Sequence, residues 1–515
     1  LTGGWRTERR YAKIEETLLK PGSIAFPGNL SLLLDRAADL FPDRDGLGFG
    51  DVVLGFHAYH DRVCRLAQGL LDLGIQRGDR ALLLSHNSLG FALIAHAVFR
   101  VGAVLVPVNP GIRPHELAHI VTETCPRIAF AEARSLPRFF KTYKLIPTQL
   151  IPTLVTIEDE VPLTVHLSDF NLAKPSSKCE QMDESDLAMI VYTAAMEGYA
   201  LGAELTHGSI FQDAVCSADA CFDMSDTSGE VAFCVLPLYH AHGFTSGFLV
   251  PLAGCVPTYP IDAFRETAEI LKVLEARKVT QMVSVPAVYM ALLRPLGDHP
   301  AICSRVRNLT TGGAKAPIEL IEQYRHKLGV DLFEGYGLTE ASPIVTWNSS
   351  DRPPRVGTAG FPLPCCEVKI VDEQGADLPP GMEGEVLVRG LNLFKGYYLQ
   401  PDKTAKVLDS DGWLRTGDLG MLDRDNYLTW TGLKKEMINI FGLKVYPREV
   451  ERFLLTHPDV ERVRIYSEEH DRYGAIVSCD VWPKPGKTIT ERMFRRWCRQ
   501  MVSSYKIPRR INVLC

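Results

Sequence analysis

The chain has 515 residues, more than a single hydrophobic core normally organises, so two or more domains are expected. Its 46% hydrophobic and 23% charged residues exclude wholesale disorder, and a net charge of −6 leaves no overall basic field for nucleic acid. The thirteen cysteines form no C-x-x-C pair, which argues against a zinc site or a secreted disulfide framework and for thiols in a reducing, cytoplasmic compartment.

In chain order, residues 61–73 (DRVCRLAQGLLDL) carry apolar side chains at helical spacing and stop at Gly74. A buried strand over 80–84 (RALLL), a helix over 91–100 and a strand over 104–108 (VLVPV) follow. The apolar stretch 91–108 is interrupted by His96, Arg100, Gly102 and Pro107, so no transmembrane span is expected, and no signal peptide opens the chain. The alternation resumes with a strand over 231–236 (VAFCVL), a helix over 269–276, a strand over 281–285 (QMVSV) and a helix over 318–327. Such alternation predicts parallel sheet layered with helices. Between about 357 and 430 the period changes. Short strands such as 367–371 and 384–388 are divided by Pro380-Gly381, Gly390 and Gly396, which predicts an antiparallel segment forming a small distorted barrel. After Lys435 a compact α+β tail is expected, with strands over 463–466 and 475–481 and a basic helix over 492–499.

Five segments carry chemistry: LPLYHAHG (236–243), TTGGA (310–314), YGLTE (336–340), LRTGDLG (414–420) and GLKKEMINIFGLKVYPREVE (432–451). In YGLTE, Gly337 lets a ligand approach the backbone and Tyr336 offers a flat face on which a base can stack. Thr339 supplies a hydroxyl for a phosphate oxygen, and Glu340 a hard carboxylate suited to Mg²⁺. The plainer reading is a turn with a capping threonine. Asp418 sits between glycines, where its carboxylate can accept from a ribose diol or simply close an Asx turn. Gly312, Gly313 and Ala314 leave room for a ligand or make a tight turn. Taken alone, His240 is more often a structural histidine than a catalyst, and His242 receives no role.

In order and spacing, these segments resemble the adenylate-forming superfamily of acyl-CoA synthetases, adenylation domains and luciferases over nearly the whole chain. The resemblance implies an α/β fold with two parts. Residues 1–431 would form a large AMP-binding domain of layered α/β subdomains plus a distorted β-barrel. Residues 432–515 would form a small, mobile α+β domain, truncated at its end. Thr193, Gly198, Gly313, Ala314, Gly335, Tyr336, Gly337, Thr339 and Asp418 are expected to hold the nucleotide, with Glu340 holding Mg²⁺. Thr339, Glu340, His240 and Lys435 are the implied catalytic residues, Lys435 lying at the hinge between domains. His240, Phe244, Val285 and Gly313 are the implied acyl site, and Gly442 and Lys444 the implied CoA site. Cofactors and partners follow: ATP or AMP, Mg²⁺, a small-molecule carboxylate, and CoA or an acyl-carrier-protein phosphopantetheine as acceptor. The low charge around Phe244, Val285 and Ala287 favours a fatty or other apolar acyl group. The oligomeric state is left open. Arg492, Arg495, Arg496 and Arg499 would meet CoA phosphates or, more plainly, make a solvated helix face.

Several positions depart from that pattern. The superfamily's phosphate loop reads Y-T-S-G-T-T-G-x-P-K-G followed by Leu-Thr-His; here 192–207 reads YTAAMEGYALGAELTH. Tyr192, Thr193, Gly198, Gly202, Leu205, Thr206 and His207 keep the frame. The hydroxyls and the cation are replaced by Ala194, Ala195, Met196, Glu197 and Leu201. Such loops bind through amides, hydroxyls and a cation, and a carboxylate about 4 Å from phosphate costs about 4 kcal/mol at an effective dielectric near 20. Leu433 stands where the superfamily has an arginine, and its glycine-lysine segment beyond Tyr505–Pro508 is not reached by Cys515. Three functions are therefore carried forward: an AMP-forming acyl-CoA synthetase with impaired activity, a non-adenylating binder of AMP, acyl-AMP, CoA or a partner, and a loader of a carrier protein.

Overall fold

The computed structural model describes residues 25–157, 165–172, 174–176, 178–193, 200–262, 266–348, 354–434, 438–440, 443–470 and 474–514. Two large sheets organise the N-terminal part. The first runs, edge to edge, through Val165–His166, Thr153–Thr156, Ile128–Ala131, Arg80–Leu84, Val104–Val108, Leu187–Thr193 and Leu201–Thr206. All its neighbours are parallel except the last pair, which is antiparallel. Residues 81–84 and Val104–Val108 are continuous apolar runs because helices cover both faces of a parallel sheet. Leu89–Arg100 is one such helix, started by Ser88, whose Oγ accepts the Phe91 N–H at 3.0 Å.

The second sheet has nine strands in the order Phe361–Pro362, Ile344–Trp347, Leu332–Gly337, Asn308–Thr311, Gln281–Ser284, Ala232–Cys234, Thr258–Pro260, Asp45–Phe49 and Val52–Gly55. From Leu332–Gly337 to Asp45–Phe49 the neighbours are parallel. Parallel pairing places the carboxyl ends of four consecutive neighbours side by side. The segments that leave those ends are 235–243, 285, 312–314 and 335–340, so the fold gathers at one edge the motifs that sequence spreads over about a hundred residues.

Between 366 and 433 the strands Cys366–Val371, Gly384–Gly390, Leu414–Leu422 and Leu428–Leu433 form an antiparallel sheet in sequence order. The antiparallel segment is as expected, but the barrel is corrected. Among the described residues the first and last of these strands do not pair, and four strands are too few to curl into closure. The small C-terminal domain has its own core, from Ile438 to Ile511, distinct from the main core, which ends at Leu428. Its sheet joins Val460–His470, Gly474–Pro483 and Arg510–Val513, flanked by Pro447–Leu454 and Glu491–Met501. No helix among the described residues is long and apolar enough to cross a membrane. No disulfide joins the described cysteines.

Candidate functional site

A cavity of about 270 Å³ opens at the shared strand edge. Its walls are Leu236, Pro237, Tyr239 to Gly243, Val283 and Val285, Thr310 to Gly313, Gly335 to Thr339, Pro343, Ile344 and Trp347. Tyr192 and Thr193 enter from the end of the first sheet, and Leu443 and Tyr505 from the small domain. No Asp, Glu, Lys or Arg is among these lining residues. His240 and His242 are the histidines of the wall, and burial pushes both down to about 4. They are neutral at physiological pH, able to hydrogen-bond but not to hold an anion by charge. His240 Nε2 is buried with no hydrogen-bond partner among the described residues.

Two wall glycines are closely approached by neighbouring backbone, and at Gly337 no side chain fits. A Cβ on Gly337 would lie 2.1 Å from the Pro343 carbonyl oxygen, and one on Gly335 would lie 3.0 Å from that of Thr346. The Gly335 contact comes from the antiparallel neighbour Ile344–Trp347 and the Gly337 contact from Pro343, the residue just before that strand. Gly313 has φ +74°, the left-handed turn that takes the chain away from the strand end.

Behind Tyr336 stands Asp418. The phenol donates to Asp418 Oδ2 at 2.6 Å, and the Asp418 N–H donates to Thr416 Oγ1 at 3.0 Å. Asp418 is on Leu414–Leu422, so this bond ties the four-stranded sheet to the large one. Burial, and then the Asp418 carboxylate, raise the Tyr336 phenol well above its ordinary value, so it remains a donor. Glu340 is held similarly: Tyr397 OH donates to its Oε1 at 2.8 Å. Among the described residues no group of three or more His, Cys, Asp or Glu side chains is gathered for a metal. A lone carboxylate with one oxygen already bonded still suits Mg²⁺, which commonly draws its other oxygens from water and phosphate.

The structure brings Thr193, His240, Val285, Gly313, Gly335, Tyr336, Gly337 and Thr339 to one cavity wall. Ala314, Glu340 and Asp418 lie just outside it. Phe244 does not reach the cavity. It is fully buried among Phe91, Phe99 and Phe248. Gly198, Lys435 and Gly442, with the replaced loop positions 194–197, lie outside the described residues. Of Lys444 the structure describes the backbone, in the strand Leu443–Val445.

Sequence reasoning missed four residues here. His242, given no role, is in the wall, one residue beyond the N-terminus of that short helix. Trp347 closes the wall through a strand pairing that no local pattern announces. Tyr505 comes from the other domain. Glu334 precedes Gly335, is 7% exposed, and accepts the Ala316 N–H at 3.1 Å. Burial lifts its carboxyl to about 7. Its position immediately before a ligand-type glycine motif was the available signal.

A cavity beyond the carboxyl ends of parallel strands is the usual place for a ligand in an α/β sheet. The AMP-binding enzyme family matches residues 34–398 and the AMP-binding enzyme C-terminal domain matches 449–514. The chain belongs to the AMP-binding enzyme family and is an acyl-CoA synthetase-like, adenylate-forming enzyme. It is 31% identical to 4-coumarate–CoA ligase-like 4 of Oryza sativa subsp. japonica over 85% of this chain and 80% of that one. It is 28% identical to the oxalate–CoA ligase of Arabidopsis thaliana over 94% of each. Its fold is similar to that of a double mutant of o-succinylbenzoate CoA synthetase from Bacillus subtilis, bound to a product analogue, with a TM-score of 0.82, 25% identity and 94% of each chain covered.

Proposed function

We propose that the protein activates an apolar monocarboxylic acid as its acyl-adenylate and passes the acyl group to the thiol of CoA, with weak use of ATP in the first step. The carboxylate would attack the α-phosphate, releasing pyrophosphate, and the thiol would then attack the acyl carbon, releasing AMP. The observation that carries this reading is a cavity whose described wall carries no Asp, Glu, Lys or Arg and which meets the Tyr336–Asp418 pair at Gly335 to Gly337. Tyr336 offers its ring to adenine and Asp418 its carboxylate to ribose, while Thr339 is within the wall to meet phosphate. Mg²⁺ on Glu340 would neutralise phosphate charge as it shifts in the reaction. His240, Val285 and Gly313 would receive the acid, His240 as a neutral hydrogen-bonding group. We place the domain boundary at 431/432, the hinge at Lys435 and the CoA passage at Gly442 and Lys444.

The acids named for relatives differ widely, oxalate among them. A second carboxylate needs a cation, and the described cavity wall holds none. That supports an acid with a neutral, mainly apolar body, fatty or otherwise, and speaks against dicarboxylates.

The replacements at 194–197 and 201 favour a second reading, in which AMP, acyl-AMP or CoA is bound without adenylation. Calorimetry of AMP and of Mg²⁺–ATP against one preparation tests both. AMP binding tighter than ATP is expected, and no binding of either nucleotide would overturn the site.

A further inference from the structure

The small domain meets the large one through a buried charge cluster that the proposed chemistry does not use. Glu116 lies in the first turn of the helix Pro114–Thr124 of the large domain. Its Oε2 accepts the Arg113 N–H at 3.0 Å and the Ser503 hydroxyl at 2.5 Å. Its Oε1 accepts from Lys506 Nζ at 3.1 Å. Lys506 also donates to Glu449 Oε1 at 2.6 Å, within the small domain. Alongside, Arg113 Nε donates to the Val502 carbonyl at 2.8 Å. The side chains of Lys506, Glu449 and Glu116 are 5%, 2% and 11% exposed, so water screens the cluster little.

The two carboxylates are not equivalent. Glu449 and Lys506 belong to the same domain and move together, so their pair survives any separation of the domains. Glu116 is the partner supplied from across the joint. Its bonds to Ser503 and Lys506 exist only while the small domain is seated. Seating matters at the cavity, because Tyr505, adjacent to Lys506, is part of its wall, as is Leu443. A smaller cavity at the joint is lined by Glu116, Glu449, Lys506 and Tyr505 and shares His240 and Thr193 with the larger one.

We propose that Glu116 is a positioning residue: its carboxylate seats the small domain through Ser503 and Lys506 so that Tyr505 and Leu443 complete the wall of the reaction cavity. The assignment of that cavity to acyl transfer rests on the function proposed above; the seating does not. Lys506 keeps its charge satisfied by Glu449 when unseated, so losing Glu116 frees the domain without unfolding it.

The test is hydrogen–deuterium exchange on the full chain without added ligand, comparing wild type with Glu116→Gln. The glutamine keeps an oxygen for the Arg113 N–H and removes the charge that meets Lys506. Exchange in peptides spanning 113–117 and 501–507 is expected to rise about tenfold, while the hairpin Val460–His470 and Gly474–Pro483 exchanges as in wild type. Ser503→Ala, which deletes one donor to the same carboxylate, should give a smaller rise of about threefold at the same peptides and serves if Glu116→Gln does not fold. In a Lys506→Met background, Glu116→Gln should add nothing further. Unchanged exchange at the joint would overturn the proposal, as would a uniform rise through the small domain, which marks a folding role. Calorimetry with AMP on the same two proteins keeps the questions apart. Failure of both to bind AMP defeats the proposed function and leaves the exchange result standing.

Discussion

The Tyr336 hydroxyl donates to the Asp418 carboxylate at 2.6 Å, joining a residue at the end of a parallel strand to one on a separate antiparallel sheet. Two side chains 82 residues apart, proposed above as the base platform and the ribose acceptor, are thereby held together. Asp418→Ala should weaken AMP and ATP alike by about 1–3 kcal/mol, the range for lost hydrogen bonds to a charged group. Tyr336→Phe keeps the ring, so its AMP affinity should fall less than that of Asp418→Ala. Calorimetry reads both, and unaltered AMP binding by Asp418→Ala would remove the ribose role.

Pyrophosphate exchange tests the altered phosphate loop. Carboxylate-dependent ATP–pyrophosphate exchange by the 515-residue chain is expected to be weak, close to background, and its complete absence would favour binding without adenylation. Glu197→Thr removes a repulsion, Leu201→Lys restores a cation, and Leu433→Arg restores a donor on a strand paired directly with Asp418. The triple variant should recover only part of the activity, because groups that act together in a transition state are strongly non-additive. Robust exchange by the unaltered chain would show that these replacements are tolerated.

Glu334 makes stability depend on pH. Its carboxyl is lifted from 4.5 to about 7 by burial, so the folded protein holds a proton there that the unfolded chain releases. Stability from this group is therefore complete below about 4.5 and declines as pH rises towards 7, by at most about 3 kcal/mol. Glu334→Gln, which mimics the protonated form, should flatten that decline. Urea unfolding between pH 5 and pH 8 measures it, and parallel pH profiles for variant and wild type would count against the assignment.

Gly337 has no space for a side chain. Its Cβ would meet the Pro343 carbonyl oxygen at 2.1 Å, so Gly337→Ala must push two paired strands apart. A loss of about 1–3 kcal/mol in stability is expected, as for overpacking elsewhere, together with weakened AMP binding. Gly381, where a Cβ meets nothing, is the control: Gly381→Ala should leave AMP affinity unchanged, although its φ of +88° strains the turn. Equal AMP affinity in Gly337→Ala and wild type would mean the close approach is irrelevant to the ligand.

The sequence alone determined the elements whose cause is local. Arg80–Leu84 and Val104–Val108 were legible residue for residue, because an apolar run bounded by charge or glycine has one good solution between two helix layers. The helix over 318–327 was legible in position but not in winding, since Ile318–Gln323 passes into a wider turn at Tyr324–Leu328. Of YGLTE, Tyr336 to Thr339 line the cavity, as a glycine-containing segment at a strand end allows, and Asp418 of RTGDLG stands behind Tyr336.

What only the tertiary structure decided is which of these residues meet. Phe244 and His242 are two positions apart on one short helix, yet one belongs to an aromatic core and the other to the cavity wall. The facing elements, not the local pattern, choose between them. Trp347 enters the wall by pairing with the strand of Tyr336, and Tyr505 and Leu443 enter it from a second domain. The four strands between 366 and 433 remain an open sheet because closure depends on strand number and tilt, which short alternating runs do not encode. The Glu116–Lys506 contact spans 390 residues. Neither side chain is unusual in its own segment, and the pair acquires meaning only where folding removes the water between the domains.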